Sequence, residues 1–190
     1  MKANNSRGII PPMNYTYCNR KGILMLNLET NRLMFRRYAM DDLAFVEQLV
    51  TNENVMKYIG SGVVKDRAYA IQLIERMMEQ YDNFDDYGLH VLLHKETGQR
   101  IGHAGLVAQI IDDAFEIELG YWIHSDFWQQ GYATEATRAL KQYAEQELEL
   151  ERYVSAIQVG NVASQKIALQ NGMKLEKQIE MEGKQVEIYV

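Results

Sequence analysis

Two carboxylates, Glu116 and Glu118, flank Ile117 in the stretch Phe115 to Ala136, FEIELGYWIHSDFWQQGYATEA. A carboxylate beside a substrate can accept a proton, directly or through water, which is general-base chemistry. The residues around them say how they are presented. Ile117, Leu119, Tyr121 and Ile123 are apolar at every second position, the pattern of a strand. Glu116 and Glu118 therefore share the opposite face, as candidate bases or as an ordinary solvated polar edge. The same stretch ends as a helix, with Ala133, Ala136, Leu140, Tyr143 and Ala144 at three- and four-residue spacing. Between strand and helix lies a short loop, His124 to Gln130, with Gly131 at its exit. The first-turn N–H groups of a helix lack intrahelical partners, and the helix dipole adds partial positive charge. Phosphate is the usual guest of such an end. Gly131 lets the backbone approach that guest with no Cβ in the way.

Several phosphate sites are excluded. No Gly-Lys-Ser/Thr follows the loop, so it is not a Walker A loop. One glycine does not make a dinucleotide fingerprint. His90, His94, His103 and His124 are scattered without zinc spacing, so no metal is expected. His103 could face an acceptor pocket; a core or surface histidine is the plainer reading. The single cysteine, Cys18, rules out an intramolecular disulfide. A net charge of −6 argues against a nucleic-acid partner, which needs a basic face. It suits a cationic, amine-bearing substrate, or simply solubility. No apolar run reaches the roughly 18–20 residues of a membrane span, and no signal peptide is visible. A bacterial-type cytoplasmic location is the default expectation.

The loop wording resembles that of the GNAT N-acetyltransferases, in which Gly-x-Gly/Ala at the helix start binds the pyrophosphate of coenzyme A. Gly131-Tyr132-Ala133 matches that motif. Thr134-Glu135-Ala136 matches the continuation common in the RimJ/RimL-like branch. Trp128 stands where most GNATs carry Gln or Arg, a change frequent in that branch. A second family signature follows the next strand as Asn161-x-x-Ser164, before Asn171-Gly172-Met173, with Met173 where many members have Phe. Read as ordinary sequence, Asn161 is a helix cap and Ser164 a solvent-facing helix residue. The resemblance implies acetyl-CoA as co-substrate. It implies contacts from Trp122, Ile123, Gln129, Gln130, Gly131, Tyr132, Ala133, Thr134, Asn161 and Ser164. It makes Glu118, two residues before Gly120-Tyr121, the expected base, ahead of Glu116. Some GNATs use a Tyr seven residues after the Asn as acid; here that position is Ala168, which leaves Ser164 to protonate or orient the thiol. Gly120 suits a bulge, which would free a backbone N–H near Trp122 or Ile123.

The elements that must position these residues follow in order. Arg32 to Arg37 reads as a strand. Asp41 and Asp42 fall in the first turn of a helix whose buried stripe is Leu43, Val46 and Val50. A short helical segment covers Asn54 to Tyr58 and stops at Gly60-Ser61-Gly62. Asp66 caps a helix carrying Ala70, Ile74, Met77 and Tyr81 on one face. Met77 and Met78 could line a groove, although Met at helical spacing is usually core. Gly88 to Lys95 and Arg100 to Ile110 form a hairpin around Glu96 to Gln99. Asp112-Asp113 turns the chain into the strand Phe115 to Ile123. After the helix Gly131 to Glu149, Tyr153 to Val159 is a strand. Asn161 to Gln170 is a helix, and Met173 to Ile179 and Gln185 to Val190 are a closing strand pair.

This order is similar to the GNAT fold from Met25 to the end. The fold class expected is α/β (α+β). A mixed, mostly antiparallel sheet of about seven strands is splayed between strands 4 and 5 and flanked by about four helices. Residues 1–24 lack periodicity and hold both prolines, so they read as a tail outside one domain, 25–190. Arg20-Lys21-Gly22 is what purine-rich codons ahead of a start at Met25 would encode. The implied activity is acetyl transfer from acetyl-CoA to a primary amine, in a protein N-terminus or a small molecule. A non-catalytic acyl-CoA-binding regulator on the same fold is the alternative. The protein is expected as a monomer or homodimer, with no nucleic-acid or membrane partner.

Overall fold

The computed structural model describes residues 28–83 and 87–190. The expectations for residues 1–24 fall outside them. Seven strands and five α-helices follow in the expected order among the described residues. Strand β1 is Leu33–Arg36, followed by helices α1 (Leu43–Thr51), α2 (Glu53–Met56) and α3 (Arg67–Asn83). Then come β2 (Gly88–His94), β3 (Arg100–Ile111) and β4 (Ala114–Ile123). Helix α4 (Tyr132–Gln146), β5 (Ser155–Gln158), α5 (Val162–Gln170), β6 (Leu175–Met181) and β7 (Lys184–Tyr189) complete the chain.

The sheet parts between β4 and β5, as expected, into two bonded halves. One is antiparallel in the order β1-β2-β3-β4, the other antiparallel in the order β5-β7-β6. Backbone pairing joins them at one parallel bridge, Glu118 to Val154. Leu119 N–H donates to Val154 O at 2.7 Å, and Val154 N–H to Ile117 O at 2.9 Å. Beyond that bridge β5 pairs with β7 instead of β4. The two strands therefore diverge, and a wedge opens between them.

Alternation along β4 determines what lies on each face. Leu119 and Ile123 pack with Tyr132, Ala136, Leu140 and Tyr143 in the core under α4. The other face of the first sheet packs on α1 and α3 through Val46, Leu49, Ile74 and Met77, with Trp122 against them. Asp66 caps α3 by accepting from Tyr69 N–H at 2.9 Å. Ala70, Ile74, Met77 and Tyr81 are all buried, as their spacing requires. The turn between β3 and β4 uses Asp112 and Asp113 at φ 52° and 61°, the two successive positive angles of a type I′ hairpin.

One local expectation is extended and one is corrected. Asp42 sits at the helix start, as expected, but it does more there than complement the dipole. It is fully buried and holds Arg36 at 2.6 Å and Arg100 at 2.7 Å, which ties the segment before α1 to β1 and β3. Gly120 forms no bulge, for β3 and β4 pair in unbroken register from Gly102–Ile123 to Ile111–Ala114. The departure of β5 opens the sheet, not a distortion of β4.

Candidate active site

The wedge continues into a cavity of about 540 Å3 lined from both sheets, α3 and α5. Glu118 points into it from β4. Gln109 Nε2 on β3 donates to Glu118 Oε2, and the Ala156 N–H on β5 also favours the charged form. Burial outweighs both and pushes the Glu118 carboxyl up to about 7. Glu116 shares the strand face, but Arg152 holds it at 2.8 Å and bridges on to Glu176 at 2.9 Å. Of the two carboxylates, Glu118 lines the cavity, whereas Glu116 braces the closed end of the wedge.

The opposite wall carries the Asn161 and Ser164 pair. Asn161 caps α5, its Oδ1 accepting from Ser164 N–H at 3.3 Å, so the structural reading of Asn161 is correct; both residues also line the cavity. Ser164 does not face solvent alone. Tyr121 OH on β4 donates to Ser164 Oγ at 3.0 Å across the wedge. Burial raises the Tyr121 pKa, so the phenol keeps its proton at neutral pH. Ala168 is buried in the same wall. Sequence reasoning missed Tyr121 because it counted as one apolar position in the strand. The available signal was its hydroxyl, which a strand core does not need.

The backbone of β4 contributes as well. Leu119 N–H turns toward β5, so alternation turns Tyr121 and Ile123 N–H the same way, past the last bridge. His124 N–H bonds Ile101 on the β3 side. Trp122 N–H belongs to that β3-facing set. Of these two amides, Ile123 N–H is turned to the β5 side and Trp122 N–H to the β3 side. Trp122 also lines the cavity and packs its ring at a tilt against His103, 4.5 Å between centroids. His103 is fully buried and bonded through Nδ1 to Tyr38 OH at 2.6 Å. It is the core histidine of the plainer reading, and burial lowers its pKa to about 3.

The loop before α4 continues from this same open end of β4. Trp128 Nε1 donates to Ile123 O at 2.7 Å and pins the loop to the strand end. Gln129 and Gly131 adopt φ of 60° and 84°. Gly131 is needed for that left-handed angle, since a Cβ there would meet only Arg32 at 3.4 Å. Glu135 N–H makes the first intrahelical bond of α4, to Gly131 O at 3.0 Å. That leaves the N–H groups of Tyr132, Ala133 and Thr134 without helical partners, the arrangement an anion needs. Arg32, just before β1, braces this end. It donates to Gln130 O at 3.0 Å, pairs with Glu135 at 2.6 Å and covers the Tyr132 ring at 4.4 Å. Burial opposes the Glu135 charge, but hydrogen bonds from Thr30 and Arg32 outweigh it and hold the pKa below its ordinary value. The cradle fits a diphosphate: exposed N–H groups at a helix start, at the mouth of a wedge.

Among the described residues no group of three or more His, Cys, Asp or Glu is placed to hold a metal, and no helix is long and apolar enough to cross a membrane.

A family model described as an acetyltransferase (GNAT) domain matches residues 32–174. The uncharacterized protein YkkB of Bacillus subtilis (strain 168) is 31% identical over 165 residues, 85% of this chain and 93% of its own length. The uncharacterized N-acetyltransferase YnaD of the same organism is 26% identical over 151 residues, 80% of this chain and 84% of its own. An acetyltransferase from Agrobacterium tumefaciens str. C58 superposes with TM-score 0.72 at 25% identity, covering 86% of this chain and 93% of that one. RimL, a ribosomal L7/L12 alpha-N-protein acetyltransferase solved with coenzyme A, superposes with TM-score 0.69 at 18% identity, covering 86% and 95%. The chain belongs to the GNAT acetyltransferase family and is an N-acetyltransferase, folded as the RimL-type members are.

Proposed function

We propose that the protein transfers an acetyl group from acetyl-CoA to a primary amine, directly within a ternary complex in the cytoplasm. The observation that carries this reading is Glu118, a carboxyl with pKa near 7 inside the cavity where the wedge opens. Relatives with the fold have been solved with coenzyme A and, for the microcin C7 self-immunity protein MccE, with acetyl-CoA and AMP. In this chain Gln129 to Thr134 would hold the diphosphate, and the Ile123 N–H, Asn161 and Ser164 the arm that enters the wedge. The co-substrate supplies an acyl carbon bonded to sulfur, and transfer exchanges that C–S bond for a C–N bond.

The residues account for the proton movements. A free amine is mostly protonated at neutral pH, with a pKa near ~10. Glu118, about half ionised at pH 7, can take the proton as nitrogen attacks. Ile123 N–H, with Tyr121 N–H beside it, offers a preorganised donor to the oxygen that gains charge. Ser164 can protonate the departing sulfur and be reprotonated through Tyr121. The test is release of free thiol from acetyl-CoA with a panel of amines and N-terminal peptides. Coenzyme A binding with no release across the whole panel would favour a non-catalytic acyl-CoA-binding regulator.

A further inference from the structure

Within the acetyl-transfer reading, on which this inference rests, we propose that the acceptor is a small zwitterionic amine of amino-acid type, its ammonium at Glu118 and its carboxylate at Arg76. Among the described residues these two are the only charged side chains lining the cavity. Arg76 lies on α3, and its neighbours on that face, Tyr69, Leu73 and Gln80, line the cavity too. Unlike Arg32, Arg36, Arg67, Arg100 and Arg152, it has no acidic partner among the described residues. A guanidinium presented to a cavity matches a planar carboxylate in two parallel bonds.

Three further features narrow the guest. The Gln80 side-chain oxygen is buried beside Gly88 without a partner, so the wall asks for a donor from the guest. The rest of that wall is apolar, with Leu73, Met77, Leu89 and Val107, so the body between the two charges can be hydrophobic. Last, this side of the wedge is roofed. Gln158 Nε2 at the end of β5 donates to Gly60 O at 2.5 Å, which spans the gap from the second sheet to the loop after α2. Glu182 in the β6–β7 turn reaches the same glycine, 3.1 Å from the place of its absent Cβ. A protein N-terminus needs an open path for the chain that follows it, and the roof crosses that path. A polyamine would set a second positive charge against Arg76.

The test uses the full chain in a thiol-release assay. Acceptors are leucine and phenylalanine, their methyl esters, isoamylamine, phenethylamine, spermidine and a leucine-initiated tetrapeptide. The free amino acids should be preferred in kcat/KM over their esters and decarboxylated amines by about 10–100-fold, the worth of a charge-assisted bidentate contact. Arg76→Met should collapse that preference toward one, and Arg76→Lys should keep part of it. Arg76 is exposed on its helix, so neither change threatens folding. Melting is measured in parallel with coenzyme A present, where the amino acids should stabilise the wild type but not Arg76→Met. Thiol release that ignores the carboxylate, or a preference that survives Arg76→Met, overturns the inference and leaves acetyl transfer standing. Preference for spermidine or the tetrapeptide overturns it as well. No thiol release from any acceptor, with the Arg76-dependent melting shift intact, overturns acetyl transfer and supports the carboxylate site. Absence of both release and shift overturns the inference.

Discussion

The two ends of β4 have the same strand chemistry and opposite fates. At the closed end, Glu116 to Leu119 is bonded on both sides, to β3 in continuous register and to Val154 through two backbone bonds. Arg152 locks that end further by joining Glu116 and Glu176. At the open end, Tyr121 and Ile123 are paired on one side only, because β5 has left to pair with β7. Both ends are needed. The closed end sets the angle of the wedge, and the open end leaves strand N–H groups facing a cavity across which Tyr121 OH reaches Ser164. Buried polar groups without partners are costly, so the open end is where a ligand gains most. Glu118 sits at the junction and shows the cost directly, in a carboxyl that holds its proton to about pH 7.

Substituting the junction gives the largest effect. Glu118→Gln should lower kcat by about 10²–10⁴-fold with little change in coenzyme A affinity, as the phosphate cradle lies beyond the open strand end. Wild-type kcat should rise with pH through an apparent pKa near 7, the Glu118 value, and the variant should lose that limb. A normal kcat in Glu118→Gln at neutral pH would move the base elsewhere.

The cradle comes next. Gly131→Val imposes a branched side chain on φ 84°, a strain of roughly 1–3 kcal/mol. Coenzyme A should raise the wild-type melting temperature by mass action. The variant should lose that shift and also melt lower without ligand. An unchanged shift would remove the loop from the site.

The open end carries a subtler test. Tyr121→Phe and Ser164→Ala each break one contact in the same pair, so each should slow turnover on the order of tenfold, the worth of a hydrogen bond. The double variant should cost no more than the worse single one. Additive losses would mean that the two hydroxyls act independently.

The junction also makes a stability prediction with a definite sign. Glu118 has a folded pKa of about 7 against an ordinary 4.5, so the native state holds a proton that the unfolded chain releases. Its contribution is intact at acid pH and is lost as pH rises from 4.5 toward 7. Glu118→Gln should thus be more stable than wild type at pH 8, by about 1–3 kcal/mol, with the gap closing at acid pH. Equal denaturation midpoints at pH 8 would contradict the raised pKa. The smallest effect is expected at the closed end. Arg152→Met removes an exposed bridge and should cost about 1 kcal/mol or less, with more of any activity loss in KM than in kcat as the wedge loosens.

Residue order was enough to locate β4, the phosphate loop and α4, because period-2 and period-3.6 patterns and a glycine at a helix start are local signals. The same holds for Asp66 as cap, for the α3 stripe and for Asn161 ahead of α5. Glu118 stood out from Glu116 through the family resemblance alone; in the strand both are alternate polar positions. Other roles were not legible. Asp42 reads as a helix-start acid, which it is, but no local signal shows that it also holds Arg36 and Arg100. Tyr121 reads as core until α5 places Ser164 opposite. Gly120 read as a bulge, since a strand glycine often is one, and no local signal says that the neighbouring strand supplies the opening.

By itself, then, the sequence determined the elements, the open N-terminus of α4 behind Gly131 and the strand face on which a base could stand, since each depends on contacts within a few residues. Tertiary structure alone decided which carboxylate is desolvated, which backbone N–H groups are left open and which cation faces the cavity. Those properties arise between segments as distant as Arg76, Glu118 and Ser164. Their physical cause is the parting of β4 from β5 after a single bridge, which no stretch of residues encodes locally.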